Sequence, residues 1–486
     1  MRHPNFFPFP ILWFSLVALE ISLLARIADP DIWFHLRNVQ QFLTTHSFLR
    51  ADLYTFTSMG APLLNHEWLS ELPFYVAFKV FGLRGLLAVN LVVWSFIFGT
   101  VYYLALRRGA NFGDAALVTM VGVALASYDF APRMRDFGWL CLTLLFLVLE
   151  RFRRSGKGLW VLPPLFALWI NLHGSWVFGF VVIGIYVVSG LVEGQWNNVV
   201  AERWPSARLR KMLIVFGASL IALFANPYGY KLVRYPFEFL FGLKTNLENS
   251  VEWGSVDFHT GYGKLAMAMI FALLAAAWFS RKPWQLQDIL LVAFAMWMSL
   301  NHLRFLPFAA IILVHILGPR LHLFTAYDPK KDKPSLNLAM TAIIVGLILW
   351  MYPSTARLQN DIDSQFPRDA LHFMQQEQIT GRLFHDYIFG GYLEWNAPTL
   401  RTFADGRTDI FIYNGVLDDY LKIIRIERPL ELLDKYEISY VLFPVNTPLA
   451  YLLDHSAGWR AIYQDKAVKL YQRVPVTATS PEGASN

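Results

Sequence analysis

Close behind the first apolar run of the chain, Asp29-Pro30-Asp31-Ile32-Trp33-Phe34-His35 sets two carboxylates and an imidazole beside an indole. The Asp-x-Asp spacing lets the carboxylates share a divalent ion, or lets one orient the other as a proton acceptor. Asn65-His66-Glu67-Trp68 repeats the pairing of imidazole with carboxylate, although the spacing is not that of a zinc-binding helix. Arg133 and Arg135 stand two apart, and Arg304 follows His302 at the start of another apolar run. Planar guanidinium groups recognise phosphate by paired hydrogen bonds. His173 lies in Asn171-Leu172-His173-Gly174, where the glycine permits close backbone approach, and Glu252-Trp253 offers an acid or metal ligand. Together these groups offer a base or ion site and a binding place for a phosphate. Each residue also has a plainer reading. Arginines snorkel to lipid head groups, and tryptophans collect at membrane interfaces.

These residues need a scaffold, and composition says which kind. The 486-residue chain is 55% hydrophobic and only 16% charged, with a positive mean hydropathy. Uncharged runs near the roughly 20 residues that span a bilayer recur up to residue 352. Backbone groups in lipid must be satisfied within their own segment, so the runs are predicted to be helices. A net charge of +6 does not point to nucleic acid, because the basic residues cluster in short loops between apolar runs. The single cysteine, Cys141, excludes an internal disulfide or thiolate framework. Residues 11–28, with Ala25-Arg26-Ile27-Ala28, resemble a signal peptide, but Glu20 inside the run favours a retained first helix.

Predicted spans fall near 10–28, 86–106, 115–128, 137–150, 159–171, 175–192, 212–225, 263–280, 286–300, 304–318 and 336–352. A short apolar segment at 73–81 is expected at the interface. With Arg2 and the N-terminus in the cytoplasm, alternation puts each short cluster there: Arg107-Arg108, Arg151 to Lys157, Arg203 to Lys211, Arg281-Lys282 and Arg320 to Lys333. About eleven transmembrane helices with the C-terminus outside satisfy the positive-inside tendency. Asp29, Asp31, His35, His66, Glu67, Arg133, Arg135, His173, Glu252, His302 and Arg304 then all fall on the outer face.

Residues 1–355 are therefore expected to form a polytopic α-helical membrane domain with a large first outer loop, 29–72. Residues 356–475 form a small extracytoplasmic α/β domain, and 476–486 a disordered tail. Within that domain 439–443 reads as a strand, 459–473 as a hairpin and 418–437 as a helix. Gly390-Gly391 and Asp405-Gly406-Arg407 read as turns.

The order of these motifs resembles the GT-C superfamily of membrane glycosyltransferases, which use polyprenyl-linked sugars on the outer side of the membrane. It is also similar to a bacterial subgroup with stretches like Asn65-His66-Glu67-Trp68-Leu69, Asn171-Leu172-His173-Gly174, Asn226-Pro227-Tyr228-Gly229, Val251-Glu252-Trp253 and Gly390-Gly391-Tyr392. Trp-Trp-Asp-Tyr-Gly, the oligosaccharyltransferase signature, is absent, and Asp29-x-Asp31 stands where protein O-mannosyltransferases carry Asp-Glu. The resemblance implies a bacterial inner-membrane enzyme that transfers a sugar from a polyprenyl-(pyro)phosphate donor by inverting displacement. Asp29 or Asp31 would take the acceptor's proton, and Arg133, Arg135, His173, His302 and Arg304 would bind the donor phosphate. His35, His66, Glu67 and Glu252 would line the rest of the cavity. Mg²⁺ or Mn²⁺ on Asp29, Asp31 and Glu252 is an optional addition that suits oxygen ligands, and no organic cofactor is implied. Competing readings are a transporter or flippase of lipid-linked saccharides and a non-catalytic scaffold for envelope assembly. A transporter would place its polar groups near mid-bilayer, often in inverted repeats, and neither is visible in the chain.

Overall fold

A computed structural model describes residues 13, 15–21, 27, 29–242, 251–280, 282–325, 328, 330 and 333–475. Most of the predicted first helix, Arg2, Arg281, Lys331 and the 476–486 tail lie outside the described residues; Trp13 and 15–21 are helical. The chain forms two compact units, one of Met1–Ile27 with His66–Leu358 and one of Ala28–Asn65 with Gln359–Asn486. The expected division kept 29–72 with the membrane domain. The structure instead groups most of that loop with the C-terminal segment.

In the first unit, each of the ten later predicted spans coincides with a helix. They run Leu83–Arg107, Phe112–Ala126, Asp136–Ser155, Leu162–Leu172, Trp176–Leu191, Ser206–Ala222, Gly261–Phe279, Leu286–Asn301, Leu306–Leu317 and Pro334–Met351. Four stretches among the described residues are long and apolar enough to cross a membrane: Leu83–Arg107, Gly261–Phe279, Leu303–Arg320 and Pro334–Met351. Every residue from Leu306 to Leu317 is buried, so this helix is the axis of the unit, packed by Leu83–Arg107, Phe112–Ala126 and Leu286–Asn301. Pro334–Met351 buries no residue at all, and an apolar helix so exposed suits lipid rather than water.

Helix starts depart from expectation where polar residues join an apolar helix. The interfacial segment begins earlier, as Trp68–Phe81. Ser206–Ala222 takes Arg208, Arg210 and Lys211 into its first turns, where long basic side chains can reach outward past the apolar face. The 20 residues of Asp136–Ser155 separate two poles by about 30 Å. Arg135 precedes the helix, and Arg153 and Arg154 lie in its last turn. At the second pole Arg108 and Arg320 grip Asp288 at 2.7 and 2.9 Å.

The second unit is built on a four-stranded sheet. Leu383–His385 runs parallel to Tyr440–Pro444, which pairs antiparallel with Val468–Arg473, and Trp459–Gln464 completes the edge. Phe384, Phe403, Tyr420, Val441, Phe443 and Tyr471 fill its core. The expected strand and hairpin are present. The expected helix over 418–437 is two helices, Val416–Ile424 and Pro429–Lys435. The break falls at Arg428, whose φ is 56°, before a proline that opens the second helix. Gly390-Gly391 is not a turn either, since it opens the helix Gly390–Asn396. The first-loop segment joins this unit through the helix Ile32–Thr45 and by strand-like pairing, in which the Phe56 and Thr402 amides donate to Thr402 and Tyr54 carbonyls at 3.0 and 3.1 Å.

Candidate functional site

In the first unit, three sequence motifs converge at the ends of neighbouring helices. The Trp68 indole donates to Asn171 Oδ1 at 2.9 Å, and Ser70 Oγ donates to the Leu172 carbonyl at 2.6 Å. The Asn171 amide donates to the Ala225 carbonyl at 2.8 Å, just ahead of Asn226-Pro227. These bonds aim His66, Glu67 and His173 at one another. Glu67 Oε1 lies 3.4 Å from His173 Nε2 and 3.8 Å from His66 Nε2, and the His66 ring packs on Tyr235 at 4.7 Å. The Ser175 amide donates to His173 Nδ1 at 2.9 Å, so the proton of the neutral ring sits on Nε2, facing Glu67. Burial lowers the His173 pKa to about 3, with only partial opposition from Glu67. His173 is neutral at ordinary pH.

A second group surrounds Glu252. Arg133 and Arg135 donate to its two oxygens at 2.6 and 2.7 Å. Asp129 pairs with Arg135 and lies 3.8 Å from Arg133, and it accepts the Trp139 indole at 3.2 Å. Burial alone would raise the Glu252 carboxyl, but Arg135, Arg133 and Arg304 hold it well below the usual carboxylate range. Both oxygens are engaged by guanidinium donors, which leaves Glu252 ill-suited to the metal-ligand role expected of it. Among the described residues no group of three or more His, Cys, Asp or Glu is placed to hold a metal ion.

Arg304 differs from the other two arginines. Among the described residues it makes no carboxylate ion pair within 4 Å, and its guanidinium lies 4.4 Å from the Trp253 ring centroid. His302 Nδ1 bonds the Trp253 carbonyl at 2.8 Å, so His302 shapes the segment that carries Trp253. The field of Glu252, Arg133, Arg135 and Glu67 reaches Arg304, which joins the two groups electrostatically. Beside them runs an apolar groove of about 710 Å³ between Trp68–Phe81, Asp136–Ser155 and Leu162–Leu172, lined by Leu69, Pro73, Val76, Phe137, Cys141 and Leu172. Leu69, Phe137 and Leu172 are immediate or near neighbours in sequence of Glu67, Arg135 and His173.

The second unit holds Asp29, Asp31 and His35. Asp29 is buried, with 2% of its surface exposed, and its Oδ1 accepts the Asp31 amide at 2.9 Å. Asp31 occupies the N-cap of Ile32–Thr45. The Asp31 carbonyl accepts the His35 amide at 3.2 Å, and the buried His35 ring lies 4.2 Å from Phe34.

Asp129 and Trp253 are the site residues that motif reading passed over in the first unit. Asp129 stands four positions before Arg133, a spacing that could have signalled the pair. Trp253 was noted only as the neighbour of Glu252, and nothing in the sequence ties it to Arg304.

No family model and no curated relative matches the chain. Among solved structures, the crystal structure of ArnT from Cupriavidus metallidurans bound to undecaprenyl phosphate is similar over 97% of this chain and 97% of its own, with a TM-score of 0.53 and 13% identity. The likeness is one of fold. It agrees with the helical, multi-pass architecture expected from the sequence.

Proposed function

We propose that the protein is an integral-membrane glycosyltransferase that moves a sugar from a polyprenyl-(pyro)phosphate donor to an acceptor on the outer face of a bacterial inner membrane. The observation that carries this reading is the apolar groove of about 710 Å³ beside a cluster in which Arg304, stacked on Trp253, has no carboxylate partner among the described residues. A polyprenyl chain suits the groove, and a phosphate suits an arginine that is not already neutralised. In the reaction, the acceptor hydroxyl gives its proton to a carboxylate, the role that the resemblance implies for Asp31 or Asp29. Its oxygen bonds the anomeric carbon, and the electron pair of the broken carbon–oxygen bond leaves with the lipid phosphate. Arg304 stabilises that charge as it develops. Arg133 and Arg135, held by Glu252 and Asp129, shape the field around it. The fold likeness to ArnT, solved with undecaprenyl phosphate bound, supports a polyprenyl-phosphate partner.

Undecaprenyl phosphate, the product of transfer from a phosphate-linked donor, tests the reading without knowledge of the sugar. Purified protein in nanodiscs should bind it saturably. Arg304→Ala should weaken binding by roughly ten- to a hundredfold, the loss expected for one charge-assisted contact of about 1.5–3 kcal/mol. Absence of saturable binding by the unaltered protein would overturn the proposal.

A further inference from the structure

The two glycine motifs of the C-terminal segment have no role in the chemistry above, yet both lie against the Asp29–His35 stretch. A Cβ added to Gly406 would collide with the Asp31 carboxylate and come within 3.2 Å of the Phe34 ring. A Cβ on Gly391 would lie 3.1 Å from the Phe34 amide nitrogen and 3.2 Å from the Pro30 carbonyl oxygen. On the other side of the same short helix, Gly390 leaves room for Ala404 and for Asp405, whose Cα would lie 2.8 Å from an added Cβ. The helix Gly390–Asn396 is thus packed between the Pro30–Phe34 turn and the 404–406 loop, touching both with bare backbone. Trp33 locks the arrangement edge-on against Tyr392 at 5.4 Å, and Tyr392 stacks on Phe366 at 4.9 Å.

The loop that carries Gly406 is itself pinned. Arg407 is buried, and its backbone amide and Nε both donate to Asp405 Oδ1, at 2.7 and 2.9 Å. It also pairs with Asp52 of the first-loop segment at 2.9 Å and lies 3.7 Å from Glu394. Its guanidinium stands over Tyr54 at 4.9 Å and Phe34 at 5.8 Å from the ring centroids. Three carboxyl groups and one guanidinium, out of water, hold this loop in one place.

We propose that Gly406 and Gly391 form a seat that positions the Asp31 carboxylate for proton transfer, with the Arg407 cluster fixing the height of that seat. Gly406 is then a positioning residue, and Asp405-Gly406-Arg407 is more than a turn. The proposal rests on the reading of Asp31 as proton acceptor.

The test uses the full chain in nanodiscs with a panel of undecaprenyl-phosphate-linked hexoses and pentoses, scored by release of undecaprenyl phosphate across pH. Gly406→Ala should lower the release rate on the order of 100-fold, the effect of a displacement of about 1 Å at a reacting group. It should shift the acidic limb of the pH profile while leaving donor KM within about twofold, since the donor's own contacts are untouched. Adding Gly406→Ala to Asp31→Asn should cost little more than Asp31→Asn alone. Thermal midpoints supply a readout that needs no turnover: the loss caused by Gly406→Ala should largely vanish in an Asp31→Ala background, where the colliding carboxylate is gone. Unchanged release by Asp31→Asn would sink the proton-acceptor reading. Loss of release in Asp31→Asn with unchanged release and pH profile in Gly406→Ala would sink the seat, as would additive thermal losses.

Discussion

Charge at single residues is set here by partners that sequence proximity does not reveal. Arg133, Arg135 and Arg304 read alike as phosphate ligands. Glu252, more than a hundred positions away, takes the first two and spares the third. Such pairings are tertiary, and neither spacing nor composition encodes them. His385 makes the same point and yields a prediction. Its Nδ1 faces the Asp386 carbonyl at 2.8 Å, and its Nε2 accepts the Phe403 amide at 3.0 Å. Protonating Nε2 would break that second bond. Burial accordingly lowers the His385 pKa from an ordinary 6.5 to about 4. A histidine whose folded pKa is depressed binds protons more readily once unfolded. Its neutral form therefore costs nothing above pH 6.5, and stability drains away as pH falls from 6.5 towards 4. Relative to His385→Gln, the unaltered protein should lose thermal midpoint progressively through that window and no further below it. Parallel curves for the two proteins would refute the assignment of His385 as a buried neutral ring.

Elements were far more legible than their pairings. Ten predicted spans coincide with helices because each is a continuous apolar run closed by charge or glycine, a signal carried locally. Their boundaries slipped where basic residues continued the helix, as at Arg208 and Lys211. The first loop departs from expectation for a different reason. Ala28–Asn65 folds with residues more than 300 positions later, through a docking of Gly391 on Phe34 that leaves no periodic trace. Gly390-Gly391 looked like a turn because glycine usually punctuates; here it marks close approach inside a helix. At this scale the groove beside Trp68–Phe81 is the element to test. Val76 lines it while 59% exposed, so Val76→Trp can fill the groove without straining the core. Undecaprenyl phosphate binding should fall about tenfold or more, since roughly two buried CH₂ groups are worth that much, while the thermal midpoint stays within about 2 °C. Equal binding by Val76→Trp and the unaltered protein would mean that the lipid chain lies elsewhere.

For the molecule as a whole, sidedness decides whether the outer-face chemistry can occur. The helix Asp136–Ser155 ends in Arg153 and Arg154, and the following loop carries Lys157, which is exposed. The opposite end begins next to Arg135 and the Glu252 cluster. Positive-inside placement then sends Lys157 to the cytoplasm. Counting onward through the predicted spans sends the C-terminal segment, including the exposed Ala457, to the outer side. The native thiol makes this easy to examine, because Cys141 is buried, with 2% exposure, inside that same helix. A membrane-impermeant maleimide applied to intact cells should find no target in the unaltered protein. Ala457→Cys should label in intact cells, and Lys157→Cys only after the membrane is opened. The reverse pattern would invert the molecule, moving the His173 and Glu252 groups to the cytoplasmic face and removing the basis for transfer to an external acceptor. Labelling of both positions in intact cells would break the alternation of spans between residues 157 and 457, and with it the span count on which the sidedness rests.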